Sequence, residues 1–146
     1  LDTVENLLEK TDLATGYCVL AKGDPYSNVC RSPLTRKNGI CAGWSDYEFY
    51  GMEEIKHLPG DEFISWFGGW CLTGISREIM LEHPITTIPG SGHSQSDYET
   101  SYWLGQKGRF FLSHKDAYVE HIKGDKNKSV QDGNSVGKIT PRVVFN

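Results

Sequence analysis

The stretch from Asp61 to Ile75 constrains the fold of this chain more than any other. It holds two aromatic and aliphatic runs, Glu62–Phe67 and Trp70–Ile75, on either side of Gly68-Gly69. Gly-Gly readily adopts the positive φ angles of a tight two-residue turn, so the stretch predicts a buried β-hairpin. Phe63, Trp66, Phe67, Trp70 and Leu72 present too much apolar surface to stay in water. One large aromatic side chain buries about 150–250 Å².

The rest of the chain reads as short elements around that hairpin. Leu1, Val4 and Leu8 share a helical face, with Asp2 and Glu5 at capping-box spacing and Gly16 as a stop, so residues 1–14 predict an amphipathic helix. Tyr17–Ala21 is β-prone, Lys22–Pro25 is a turn, and Tyr26–Arg31 is extended. Asn38-Gly39 between Leu34 and Ile40 is a hairpin signal. Ser45 and Glu48 form a capping box for a helix from Asp46 to Leu58, with a strand through Tyr47–Tyr50 as the competing reading. Ser76 caps a short helix to His83, and Thr86–Gly92 is a Pro/Gly/Ser loop. Thr100–Leu104 and Arg109–Leu112 suggest a second hairpin around Gln106-Lys107-Gly108, and Ser113 caps a helix over His114–Ile122. Gly124–Lys138 is a mobile polar loop, and Val143–Phe145 returns as a last strand. These elements predict one α+β domain over 1–146, with a central antiparallel sheet built from β-hairpins and two or three short helices.

Composition narrows the function classes. The chain has 146 residues, a net charge of -4 and no basic stripe, which argues against nucleic-acid binding. Gly-x-Gly-x-x-Gly and P-loop patterns are absent, so no nucleotide or other cofactor is expected. No apolar run approaches the roughly 20 residues of a membrane span. There is no signal peptide, and a chain opening on Leu1 reads as a processed form or an excised fragment. Cys18, Cys30, Cys41 and Cys71 allow three disulfide pairings and contain no Cys-x-x-Cys, so disulfides are expected rather than zinc. Asn127-Lys128-Ser129 is a glycosylation sequon. Cysteines and sequon together point to a secreted glycoprotein. Four buried thiols in a cytosolic protein is the bland alternative.

Four constellations could carry chemistry. Cys41, just ahead of the helix expected at Asp46, could be a nucleophile with His93 as base and Asp97 to orient it. Its segment, Gly39-Ile40-Cys41-Ala42-Gly43-Trp44-Ser45, resembles the nucleophile segment of papain-like enzymes over these residues. A Ser45 cap leaves Cys41 short of the full helix dipole, and a disulfide would end its reactivity. Acid/base pairs could form from His93, Asp97 and Glu99, or from His114 and Asp116. His114, Asp116 and His121 would stand too far apart along a helix to share a metal, so no metal site is expected. Trp44, Tyr98 and Tyr102 lie in an aromatic-rich part of the chain and are candidates for a binding surface. The leading expectation is a secreted, disulfide-stabilised recognition domain for a protein or glycan, of the effector, toxin-subunit or viral-surface type, with a role in virulence. The alternative is a cysteine hydrolase or transferase built on Cys41 and His93.

Overall fold

The computed structural model describes residues 1–19, 24–37, 40–41, 47–85 and 96–120, with backbone alone at 37, 40 and 41. In order the elements are α1 (Asp2–Leu8), β1 (Leu13–Thr15), β2 (Tyr26–Cys30), β3 (Arg36–Lys37), β4 (Ile40–Cys41), β5 (Phe49–Gly51), α2 (Met52–His57), β6 (Glu62–Ser65), β7 (Thr73–Ile75), α3 (Arg77–Glu82), α4 (Ser96–Gln106) and β8 (Phe111–His114). The class is α+β. A four-stranded sheet runs β6-β8-β1-β7, and β2-β5 and β3-β4 form two-stranded antiparallel sheets.

The main sheet is mixed. β6 pairs antiparallel with β8, and β1 antiparallel with β7, but β1 and β8 run parallel. The expected Glu62–Phe67/Trp70–Ile75 hairpin therefore does not form: its two runs lie on opposite edges of the sheet, with β8 and β1 between them. The two glycines explain why. Among the described glycines only Gly60 and Gly108 have positive φ. Gly68 and Gly69 instead allow close approach. A Cβ on Gly68 would lie 2.7 Å from the Phe111 ring, and one on Gly69 would lie 2.8 Å from Asn28 Nδ2. The pair opens a loop over which the chain crosses the sheet.

Alternation on the strands sends side chains to both faces. On one face α1 lays Val4 and Leu7 over Ala14, with Leu8, Leu72 and Leu112 alongside. On the other, α3 and α4 place Ile79 and Leu104 against Leu13 and Phe111. Two further clusters fill the β2-β5 end. One joins Tyr17, Val29, Tyr50, Ile55 and Phe63; the other joins Cys30, Leu34, Tyr47, Phe49, Phe67 and Tyr98.

Several local expectations hold. β3 and β4 pair antiparallel, Lys37 opposite Ile40, while Asn38 and Gly39 lie outside the described residues. Ser76 caps α3, its side chain accepting from the Ile79 N–H. Others shift. α1 ends at Leu8 rather than Ala14, because β1 already starts at Leu13. The helix expected from Asp46 begins at Met52, after a β5 that matches the competing strand reading. The capping interaction moves with it, the Gly51 N–H donating to the Glu54 carboxylate at 3.1 Å. Thr100–Leu104 is helical within α4, not a strand. Gly108, at φ 70°, closes that helix: the Arg109 N–H donates to Leu104 O and the Gly108 N–H to Gly105 O, the Schellman pattern. No helix follows Ser113 among the described residues. His114 ends β8, and a turn closes with the Ala117 N–H on His114 O at 2.9 Å. The expected polar loop at 124–138 and the strand at 143–145 lie outside the described residues.

Candidate functional site

Two features of the surface stand out, a thiol cluster and an open apolar ladder. The cluster starts from β2. Asn28 is buried, and its side chain works in two directions. Its Oδ1 accepts the Cys18 N–H at 2.8 Å, while its own N–H returns to Cys18 O at 3.0 Å. Its Nδ2 donates to Cys71 Sγ at 3.4 Å. The Cys18 thiol donates to the same sulfur at 3.9 Å. Cys71 is an exposed residue with its sulfur turned onto these two partners, whereas Cys18 is buried.

The loop that carries Cys71 is anchored at each end. The Gly68 N–H donates to Ser101 Oγ at 3.2 Å, Trp70 Nε1 to Ser96 Oγ at 2.8 Å, and Thr73 Oγ1 to Gly69 O at 2.7 Å. The Cys18 thiol, Asn28 and nearby backbone N–H groups favour the thiolate and, against the effect of burial, hold the Cys71 pKa down at about 7. Cys30 is the contrast: burial in an apolar cluster pushes its thiol far above the usual range.

The second feature is the outer face of β6 and β8. The register pairs Glu62 with His114 and Ile64 with Leu112. Trp66 and Phe110 continue the ladder, with ring centroids 5.7 Å apart in an edge-to-face contact. The α1 end is polar and covered: Lys10 reaches Glu62 at 2.5 Å, and Thr3, Asn6 and Leu7 close over Glu62 and His114 in a shallow cleft of about 300 Å³. The far rungs are open, with Ile64 37% and Phe110 41% exposed.

The residues singled out from sequence are dispersed. Tyr98 is 9% exposed and packs in tilted contact with the rings of Phe67 at 4.8 Å and Tyr47 at 5.7 Å, so it is core. Tyr102 is half-buried, its ring covered by the Arg36 guanidinium at 4.2 Å. Arg36 also pairs with Glu99. Asp97 lies in the first turn of α4, where burial raises its pKa and its Oδ1 accepts the Tyr98 N–H. Trp44 and His93 lie outside the described residues. Cys41 is placed by backbone in β4, and the helix meant to polarise it starts only at Met52. His114 and Asp116 do meet, but through the Asp116 backbone N–H on Nδ1 at 3.0 Å, with the Asp116 carboxylate 3.8 Å away and in solvent. Among the described residues no three His, Cys, Asp or Glu side chains gather as a metal site, and no helix is long and apolar enough to cross a membrane.

Sequence reasoning counted Cys18 and Cys71 among four cysteines, but nothing local linked them, since they are 53 positions apart. Asn28 carried no signal at all. Ile64 and Trp66 stand two apart, on one face of an extended strand, yet that spacing does not say which face a helix will cover. No family model, curated protein or solved structure matches the chain.

Proposed function

We propose that this chain is a small extracellular recognition domain, of the secreted effector, toxin-subunit or viral-surface type, that binds another protein. The observation that carries the reading is the pair of exposed apolar side chains, Ile64 and Phe110, that flank the half-buried Leu112 and Trp66 beside the salt-bridged end of the same face. Contiguous exposed apolar surface with a charged rim is how protein interfaces are built. Aliphatic rungs next to aromatic ones suit a protein partner better than a glycan, which needs polar groups lining its platform. Burial of one such side chain contributes about 1.5–3 kcal/mol. The Asn127 sequon supports the extracellular setting, whereas Cys30 and Cys71 are free thiols, so the expected disulfides lend it nothing.

Site-specific photo-crosslinking in the producing organism tests this. A benzophenone side chain at 64 or 110 is expected to trap one protein adduct, while the same group at the exposed Leu81 of α3 does not. Ile64→Lys with Phe110→Ser should abolish the adduct while leaving the circular dichroism unchanged. No adduct at either position, or equal adducts at 81, would sink the reading, and binding without protein adducts would favour a glycan.

A further inference from the structure

We infer that Cys71 and Cys18 form a reversible dithiol–disulfide pair, with Cys71 as the attacking thiol and Cys18 as the resolving one. The proposal is independent of the recognition surface, which lies on the outer face of β6 and β8. It rests on the placing of the two sulfurs. They are in contact at 3.9 Å, one on an exposed residue and one buried, and Asn28 holds both sides of the gap. A thiol on an exposed residue, with oriented donors, meets an oxidant before a fully buried neighbour, which then displaces whatever the first acquired. The lowered Cys71 pKa fits the first role, and the sealed Cys30 offers a built-in control.

The co-reactant is a small-molecule disulfide, RSSR. The Cys71 thiolate attacks one sulfur, forming a Cys71–S–S–R bond and expelling RS⁻. Cys18 then loses its proton to solvent and attacks Cys71 Sγ, forming the Cys18–Cys71 bond and expelling a second RS⁻. The protein loses two electrons, and RSSR gains them to become two RSH after protonation. Two reduced thiols reverse the sequence. Gly69 is part of the device: a Cβ there would strike Asn28 Nδ2 at 2.8 Å and move the amide away from the sulfur.

The experiment equilibrates the full reduced chain in glutathione buffers of graded ratio, quenches with acid, alkylates and maps the peptides. One bridge, Cys18–Cys71, should appear and disappear reversibly. In native protein Cys71 should be alkylated fastest, with a rate that climbs through about pH 7 as the thiolate forms. Cys18→Ser should leave glutathione trapped on Cys71. Asn28→Ala and Gly69→Ala should each slow Cys71 alkylation at neutral pH, by about tenfold for a lost bond to a charged group. The wild-type measurements stand even where a variant fails to fold. Three results overturn the proposal: Cys71 reacting no faster than thiols of the unfolded chain, a bridge between any other pair such as Cys41–Cys71, or a Cys18–Cys71 bridge that no glutathione ratio reduces.

Discussion

Gly74 shows how a single missing side chain decides packing. A Cβ there would lie 2.4 Å from Leu8 Cδ1, so α1 can approach the β1-β7 edge only over a bare backbone. Gly74→Ala should therefore displace α1 and cost about 1–3 kcal/mol, the usual penalty for overpacking. Urea unfolding measures it, and Leu8→Ala in the same chain should recover part of the loss, since the two substitutions meet at one contact. If the double variant shows no recovery, Gly74 acts through its backbone and not through Leu8. Tyr98 makes the complementary point. Its sequence neighbourhood suggested a contact surface, but its ring is locked between Tyr47 and Phe67. Tyr98→Ala is a core truncation, and a loss of binding in that variant would say nothing about recognition.

Among the elements, α4 departs furthest from what its residues suggest. Thr100, Tyr102 and Trp103 favour strands on propensity, a weak prior that tertiary packing overrides. Helix lets Leu104 reach Leu13, Ile79 and Phe111, a contact that a solvent-side hairpin would forgo. Gly108 then ends the helix with positive φ and open space around it. Gly108→Ala meets no clash, so its cost is conformational alone, about 1–2 kcal/mol for a left-handed non-glycine residue. A lower melting temperature with unchanged helix content checks this. An unshifted melting temperature would mean that the Schellman turn relaxes freely.

Across the molecule, the main sheet separates an inner and an outer world between adjacent residues. Phe110 is open and Phe111 is 1% exposed beneath α4. Phe111→Ala should cost about 3–5 kcal/mol, as large core truncations do. Phe110→Ala gives up one edge-to-face contact with Trp66, worth about 0.5–1.5 kcal/mol. Parallel chemical denaturation of the two variants reads the difference directly. Comparable losses would mean that something else covers Phe110 in the native state. A mixed sheet also has a kinetic side. β1 must wait for β8, almost a hundred positions later, before its parallel edge can form, and loop closure of that length slows folding.

Local chemistry in the sequence was enough to specify the α+β class, the Ser76-capped α3 and the Lys37–Ile40 pairing. Each of these depends on a capping oxygen, a turn glycine or a periodicity read within a few residues. The order of strands, the fate of Gly68-Gly69 and the Cys18–Asn28–Cys71 cluster were decided by tertiary structure. Gly-Gly serves a tight turn and a close approach equally well, and only the arrival of the Phe111 ring chooses between them. Cys18 and Cys71 become neighbours because β8 and β1 separate the two halves of an apparent hairpin and send the intervening loop back over β2. That is a long-range outcome of burying both faces of one sheet, and no local pattern encodes it.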